Sequence, residues 1–268
     1  MQISILSKDA QAVGKIALPA QFAETVRPDI IKRAVEVIWA NTRQPYGTDP
    51  QAGKRAVAKL SRRRRDYRGS YGHGISRVPR KIMSHNGTQF NWVGAFAPST
   101  VKGFRAHPPK AGRNWKLKIN HQEKQKAIRS ALAATIISAW VSGRNHKAPK
   151  EYPFALTSDI EDMAKTKDLY AFLVKIGLEQ ELDRAAQKSI RSGKGKNRGR
   201  PYKKRKGPLL VVSGTCALAK AGKSIPGVDI IPVHRLNTSL LAPGAVPGRL
   251  TLFTEKALNI LAKEKLFM

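Results

Sequence analysis

A long basic stretch between Arg43 and Lys118 contains the side chains with the clearest chemical role in this sequence. It holds 18 Lys or Arg residues against two acids, Asp49 and Asp66. Aromatic, Gly and Pro residues lie among the cations, without sustained apolar periodicity. Cations meet phosphates, rings and guanidinium planes stack on unpaired bases, and glycine lets the backbone come close to a ligand. The stretch, called the basic loop here, therefore predicts RNA binding. A solvated, flexible insertion is the alternative interpretation.

One stretch resembles a phosphate-binding loop but does not match its pattern. Residues 214–224 end in Gly-Lys-Ser after a predicted strand, as a phosphate-binding loop does. A phosphate-binding loop needs glycine five residues before Gly222, where this chain has Ala217, and it presents its Lys at the start of a helix. Gly222 is instead expected to stand at the end of a helix.

No HExxH pair or compact His/acid cluster indicates a metal site. The sequence therefore predicts neither an enzyme nor a cofactor.

The isolated acidic and thiol side chains of the chain are expected to have structural roles. Glu161 and Asp162 are expected on the solvent face of a short helix, near its positive N-terminal end. Cys216 is the only cysteine, and without a His partner it is expected to be a small, half-buried side chain. A single cysteine excludes an internal disulfide and fits a reducing compartment. No secretory signal and no apolar run long enough for a membrane span are visible, so the cytoplasm is the expected location.

The net charge of +32 and the pI near 10.7 indicate a polyanionic partner, and the charge is unevenly distributed. The basic loop carries 18 minus 2, or +16. Residues 188–206 carry ten basic residues and no acid. The other 173 residues hold 22 basic and 16 acidic residues, or +6. The chain is therefore expected to be an ordinary domain with two basic appendages.

The apolar pattern predicts a single α/β domain formed by residues 1–42 and 119–268. Short apolar strands that alternate with helices favour a mostly parallel sheet covered by helices on both faces. The predicted strands are 3–6, 12–18, 209–212, 228–233 and 250–253. The predicted helices are 28–41, 122–141, 160–166, 168–176, 179–188, 215–221, 236–240 and 255–263.

The two basic segments are expected to lack regular secondary structure. The basic loop, residues 43–118, is predicted as a long extended insertion in the domain, because it has no core of its own to offset its ordering entropy. The second basic segment, residues 188–208, is too polar to pack, and its Gly and Pro content resists helix and strand.

Four stretches resemble the fourth protein of the large ribosomal subunit, in the archaeal and eukaryotic branch of that family. The match runs in order through most of the chain. The supporting residues are Ser70-Tyr71-Gly72-His73-Gly74 with Arg77-Val78-Pro79-Arg80, then Gly103-Phe104-Arg105-Ala106-His107-Pro108-Pro109-Lys110, then Arg129-Ser130-Ala131-Leu132-Ala133-Ala134-Thr135, and Leu241-Ala242-Pro243-Gly244 through Pro247-Gly248-Arg249-Leu250-Thr251-Leu252-Phe253-Thr254-Glu255.

The resemblance implies a non-enzymatic structural constituent of the large ribosomal subunit. Its α/β domain is expected on the outer side of the subunit. Its basic loop is expected to run inward through ribosomal RNA, with the tip helping to form the constriction of the nascent-peptide exit tunnel. Extended at about 3.3 Å per residue, half of the loop would reach on the order of 100 Å. The implied partners are large-subunit rRNA, neighbouring ribosomal proteins and the nascent peptide, with no membrane and no small-molecule substrate.

The resemblance also nominates individual contacts by position. In the basic loop the residues expected to bind rRNA are Arg62, Arg63, Arg64, Arg65, Arg68, Tyr71, Arg77, Arg80, Lys81, Lys102, Arg105, His107, Lys110 and Arg113. In the second basic segment they are Arg198, Arg200, Lys203, Lys204 and Arg205, with a solvated charge patch as the alternative. The tunnel-facing residues are expected within 81–93, namely Met83, His85, Gln89, Phe90 and Trp92. Eukaryotic members are Gly-rich there, whereas this chain has larger apolar side chains.

Two other functions remain open at this point. A free RNA-binding regulator or RNA chaperone, including one that binds its own messenger, would share the basic loop. It would not need two segments committed to one large RNA. An RNA-modifying or nucleotide-using enzyme would need a complete phosphate loop or catalytic cluster, which the sequence does not contain.

Overall fold

The computed structural model describes residues 1–268 and divides the chain into two compact units. The globular unit comprises Met1–Asn41 and Lys116–Met268, and the loop unit comprises Thr42–Trp115. In chain order the strands are β1 (Gln2–Leu6), β2 (Ala12–Ala17), β3 (Arg80–Asn86), β4 (Gln89–Gly94), β5 (Phe154–Leu156), β6 (Lys188–Ile190), β7 (Tyr202–Lys204), β8 (Leu209–Val212), β9 (Asp229–Pro232) and β10 (Thr251–Thr254). The helices are α1 (Pro28–Thr42), α2 (His121–Ile136), α3 (Ser138–Gly143), α4 (Thr166–Lys175), α5 (Glu179–Ala186), α6 (Leu218–Ala221), α7 (Thr238–Leu241) and α8 (Glu255–Lys263).

A six-stranded sheet in the order β2-β1-β5-β10-β8-β9 forms the centre of the globular unit. Every neighbouring pair is parallel except β1–β2, so β2 is an antiparallel edge strand. This arrangement confirms the predicted α/β fold class with a mostly parallel sheet. Strand β5 was missed because three residues give too short an apolar pattern to separate a strand from a loop.

Helices cover both faces of the sheet, as the continuous apolar strands predict. All four residues of β8 are buried. Leu209 and Val211 pack on the face shared with α1, α2 and α8, and Leu210 and Val212 pack on the face shared with α4, α5 and α6. Since neighbouring side chains of a strand point to opposite faces, one short run contributes to both apolar clusters.

The predicted helix 122–141 is interrupted at Ile137, which corrects the expectation of one continuous helix. Ile137 adopts an extended backbone conformation (φ −82°, ψ 108°) between α2 and α3 and is exposed. Thr135, Ile136 and Ile137 form a β-branched run, which disfavours helix. Trp140 follows this break, in α3, and is 37% exposed.

Glu161 was predicted wrongly as a solvent-facing side chain. It is 5% exposed and lies in a single 3-10 turn, Ser158–Asp162, where the helix 160–166 was expected. Its carboxylate accepts a hydrogen bond from the backbone N–H of Ser213 (2.9 Å) and others from the hydroxyls of Ser213 and Thr254 (2.6 Å for Thr254). Glu161 therefore joins the ends of β8 and β10. A buried carboxylate of this kind needs several donors to offset its desolvation.

Both basic segments contain short hairpins, which corrects the prediction that they lack regular structure. In the loop unit β3 pairs antiparallel with β4, and in the second basic segment β6 pairs antiparallel with β7. None of the eight helices combines the length and apolarity that a bilayer span requires.

A buried charged cluster joins α5 to the segment after α3. His146 is 4% exposed and Glu181 is fully buried. The Nδ1–H of His146 donates to Glu181 (2.7 Å), as do the backbone N–H of Lys147 (2.9 Å) and the guanidinium of Arg184 (2.6 Å). Burial opposes ionisation of Glu181, but the hydrogen bonds from Arg184, His146 and Lys147 outweigh it and lower its pKa to about 2.

This cluster makes stability sensitive to acid. The pKa of Glu181 is lower in the folded protein than its unfolded value of about 4.3, so its ionised form stabilises the fold. This stabilisation is complete at pH values above the unfolded pKa, and it is lost as the pH falls towards the folded pKa of about 2. We expect Glu181→Gln to remove about 3 kcal/mol of pH-dependent stability between pH 5 and pH 2. The measurement is the urea-unfolding free energy as a function of pH. Glu179→Gln, which changes an exposed acid on the same helix, is the control. Parallel pH profiles for Glu181→Gln and the wild type would contradict the assignment.

Candidate nucleic-acid interface

The β3–β4 hairpin lies at the centre of the stretch expected to form the tip of the loop. Asn86 pairs with Gln89, and Gly87 and Thr88 form a two-residue turn. Gly87 has φ 53°, a conformation that favours glycine, and glycine is preferred at the first position of a two-residue hairpin loop of type II′. The register shifts at Met83, which is left without a partner and is 67% exposed.

The two faces of the hairpin differ in chemistry. On one face Phe90 stacks on Trp92 with ring centroids 5.3 Å apart, and Tyr67 meets Phe90 edge-on at 5.3 Å. On the other face Asn91 donates a hydrogen bond to Ser84 (3.1 Å). Phe90 and Trp92, two of the nominated tunnel-facing residues, are thus half-buried, whereas Met83, His85 and Gln89 are exposed.

Most of the nominated cations project into solvent. Arg80 and Lys81 are half-buried at the base of β3, and Tyr71 is 39% exposed. The other nominated residues of the loop unit are all exposed: Arg62, Arg63, Arg64, Arg65, Arg68, Arg77, Lys102, Arg105, His107, Lys110 and Arg113. Only Ser70 and Ala95 are buried in this unit of 74 residues, so its side chains form a surface with almost no core.

The positive charge of the loop unit is almost uncompensated by the protein itself. Residues 42–115 contain 16 Lys or Arg residues and two acids. The single ion pair within the unit joins Arg55 to Asp49. That guanidinium and the backbone N–H of Gln51 lower the pKa of Asp49, with the Gln51 hydrogen bond the larger influence. Fifteen basic side chains, 16 minus the paired Arg55, therefore lack a carboxylate partner, which indicates a polyanionic ligand.

In the loop unit, cations contact aromatic rings in pairs that the sequence pattern did not predict. The guanidinium groups of Arg43 and Arg113 lie 4.4 Å and 4.3 Å from the centroid of the Trp115 ring, which also stacks on Tyr46 at 5.2 Å. Its indole Nε1–H is buried without a hydrogen-bond partner. Arg43 was not nominated as a site residue, although its spacing of three residues from Tyr46 was a usable signal.

Further cations bind aromatic faces nearer the hairpin. Arg77 lies over Tyr71 (4.4 Å), and Lys54, also not nominated, lies over Phe104 (5.0 Å). Arg80 lies over Trp92 at 5.4 Å, and its Nη1 is buried without a partner. Guanidinium groups that rest on rings keep their outer donors available for phosphate oxygens, which only accept hydrogen bonds.

Glycines allow the two arms of the loop unit to approach each other closely. The backbone N–H of Thr48 donates to the carbonyl of Pro109 (3.0 Å), and a Cβ on Gly47 would lie 2.4 Å from the backbone N of Ala111. Gly53 has φ 75°, and a Cβ there would meet the backbone N of Phe104 at 2.4 Å. The arms are therefore packed backbone against backbone, which the prediction of an extended, structureless loop did not include.

Four nominated contact residues have a left-handed backbone without being glycine. Their φ values are 54° for Arg65, 68° for Arg68, 60° for Lys102 and 49° for His107. Such conformations cost on the order of 1 kcal/mol each and are concentrated at functional sites.

The second basic segment forms a smaller exposed hairpin. Arg191 donates from its guanidinium to the carbonyls of Arg200 (3.1 Å) and Tyr202 (3.2 Å), which holds the two strands together at the end next to their connecting loop. Lys188 lies over the Tyr202 ring at 4.7 Å. The nominated residues Arg198, Arg200, Lys203, Lys204 and Arg205 are all exposed, and none forms an ion pair.

Comparison with known proteins identifies a family and close relatives. The model of the ribosomal protein L4/L1 family matches residues 16–264. A protein of Nanoarchaeum equitans named large ribosomal subunit protein uL4 is 48% identical over the full length of both chains. Proteins of the same name from Methanococcoides burtonii and Archaeoglobus fulgidus are 43% and 40% identical. They align over 96% and 98% of this chain and over 96% and 99% of their own lengths.

Proposed function

Because this chain belongs to the ribosomal protein L4/L1 family and is a structural constituent of the large ribosomal subunit, we propose that its loop unit is the segment that binds large-subunit RNA and reaches the peptide exit tunnel. Members of this family are not enzymes, in agreement with the absence of a catalytic cluster in the sequence. The observation that carries the proposal is the uncompensated charge of residues 42–115, spread over a unit with almost no core of its own.

The cations have distinct roles in this proposal. The exposed run Arg62–Arg65 neutralises phosphates, because four adjacent guanidinium groups without carboxylate partners match the charge density of RNA. The ring-bound Arg43, Arg77 and Arg113 present planar donors for bidentate phosphate contacts and stacking. The β6–β7 hairpin, with Arg198, Arg200, Lys203, Lys204 and Arg205, supplies a second, peripheral RNA contact.

The β3–β4 hairpin is the proposed tip of the loop at the tunnel wall. Met83, His85 and Gln89 project from it and are the side chains available to a nascent peptide. Phe90 and Trp92 support the tip from its aromatic face. Neighbouring large-subunit proteins are the further partners in this arrangement, and residues 1–42 and 119–268 are proposed to act as one domain that anchors the loop.

Sedimentation tests whether RNA holds the protein in the large subunit. Native protein from a cell lysate is run through a sucrose gradient in high salt, with and without ribonuclease. We expect co-migration with the large subunit in high salt and its loss after RNA digestion. Migration as a free protein in both samples would refute the proposal and favour a free RNA-binding regulator.

Crosslinking tests the tunnel-facing tip separately. A photo-reactive group is attached to cysteine in the double variants Met83→Cys/Cys216→Ser and Gln89→Cys/Cys216→Ser, so that no native thiol competes. We expect crosslinks to a stalled nascent peptide from these positions and none from Lys8→Cys/Cys216→Ser, an exposed position of the globular unit. Equal labelling from all three positions would refute the placement of the tip.

Replacing Arg62–Arg65 with Ala should weaken RNA binding and flatten its salt dependence. Each phosphate contact contributes roughly 0.7–0.9 to the slope of log affinity against log salt concentration, so four lost contacts should reduce the slope by about 3. The measurement is the Kd for a large-subunit RNA fragment between about 50 and 200 mM salt. The matched control replaces four exposed lysines of the globular unit: Lys8, Lys165, Lys167 and Lys256. Equal slopes for the wild type and the arginine variant would remove Arg62–Arg65 from the contact surface.

A further inference from the structure

A cavity of about 580 Å³ opens beside the aromatic face of the β3–β4 hairpin. Tyr67, Phe90 and Trp92 contribute its apolar wall, and Asp66, Arg68 and His73 contribute polar groups. Its volume lies within the roughly 300–1,000 Å³ typical of sites for small organic groups. Tyr67 is 54% exposed, and Phe90 and Trp92 are half-buried, so part of this aromatic wall is accessible to a ligand. The cavity lies entirely within the loop unit.

From this arrangement we propose that the cavity holds one unpaired nucleobase of the bound RNA, guanine by preference. The inference rests on the proposed RNA-binding function and assigns a base-specific site within it. Unpaired bases are recognised by stacking on aromatic rings and by hydrogen bonds to their exposed edges. Phe90 is the central ring of the wall, because it contacts both Tyr67 and Trp92 at 5.3 Å. Arg68, whose guanidinium lies 5.4 Å from the Tyr67 ring centroid, is available to the phosphate of the same nucleotide.

Asp66 selects the base. It is one of two acids among 16 basic residues of the loop unit, and it forms no ion pair. Its Oδ2 accepts a hydrogen bond from the hydroxyl of Ser61, and its Oδ1 has no protein partner. An ionised carboxylate only accepts hydrogen bonds. The Watson–Crick edge of guanine presents two adjacent donors, N1–H and the amino group, which match the two oxygens of a carboxylate. Among basic side chains, a carboxylate without an ion pair would otherwise repel the RNA phosphates.

Footprinting of the protein on large-subunit RNA tests this site. The full chain is bound to the RNA and treated with a dicarbonyl reagent that modifies N1 and the amino group of unpaired guanine. We expect the wild type to protect one guanine that becomes reactive in Phe90→Leu, which loses the stacking ring, and in Asp66→Asn, which loses one acceptor. The expected rise in reactivity is about 5- to 150-fold for Phe90→Leu, the usual contribution of one base–aromatic stack.

A control on the same hairpin separates base recognition from folding and from general RNA affinity. Asn91→Ala changes the opposite face, where Asn91 contacts Ser84, and should keep the guanine protected. The salt slope should be unchanged in all three variants, because none removes a cation. Identical guanine reactivity in the wild type, Phe90→Leu and Asp66→Asn, with RNA binding and the salt slope intact, would overturn this inference alone. Absence of salt-dependent RNA binding by the wild type would overturn the proposed function and this site together.

Discussion

Replacing residues 43–115 by a short Gly-Ser linker is expected to lower the affinity for large-subunit RNA by on the order of 10³-fold or more, while the globular unit remains folded. A factor of this size commonly separates specific from non-specific nucleic-acid binding. The deletion removes 16 basic side chains, of which only Arg55 is paired with an acid. The remaining β6–β7 hairpin should retain weak, strongly salt-dependent binding.

The globular unit should tolerate this deletion because its core and the ends of the loop are independent of the loop unit. Both apolar clusters consist of residues outside 42–115. The two ends are joined by Asn41, whose side chain accepts from the backbone N–H of Leu117 (3.0 Å) and donates to its carbonyl (3.3 Å). A linker of a few residues therefore spans the gap without strain.

Thermal unfolding and filter binding together measure this prediction. Circular dichroism should show one cooperative transition for the deletion variant. Its RNA affinity should fall far below that of a control in which only Gly112 is replaced by Ala, at an exposed position with open space around its Cα. A deletion variant that unfolds without cooperativity, or that binds RNA as tightly as the wild type, would contradict the division of roles between the two units.

Replacement of Arg249 by Met is expected to destabilise the globular unit by about 3–5 kcal/mol, the usual cost of breaking a buried ion pair. Arg249 is 0% exposed. Its guanidinium donates to the carbonyls of Gly207 and Leu240, each at 3.0 Å, and to the carboxylate of Asp229 at 2.6 Å. The side chain thus ties the segment before β10 to the starts of β8 and β9. Its loss leaves two carbonyls and a partly buried carboxylate without this partner.

The melting temperature provides the measurement for Arg249→Met. For a domain of this size the loss corresponds to roughly 6–20 °C. Arg235→Met, at an exposed position, is the matched control and should shift the midpoint little. The double variant Arg249→Met/Asp229→Asn should recover part of the loss, because it also removes a partly buried carboxylate whose one remaining ion pair is with Lys206 (3.0 Å). Equal melting temperatures for Arg249→Met and Arg235→Met would refute the structural role of Arg249.

The sequence by itself determined the elements whose signals are local. Helix α8 was predicted at the bounds it has, because Thr254 caps its first turn through a hydrogen bond from the N–H of Ala257 and Glu255 favours the positive end. Strand β8 was predicted correctly because four consecutive apolar residues indicate a strand buried on both faces. The family resemblance and the two basic segments were equally evident, since charge and motif order need no knowledge of contacts.

The tertiary structure alone decided the features that depend on residues far apart in the chain. Glu161 is buried because Ser213 and Thr254, 52 and 93 positions away, supply its hydrogen-bond donors. Strand β5 exists as a strand because β1 and β10 pair with it on either side. In the loop unit, Tyr67 meets Phe90 only because β3 and β4 turn back at Gly87. The physical reason is common to all three: burial and hydrogen-bond satisfaction belong to pairs of groups, and a single sequence specifies each group without specifying its partner.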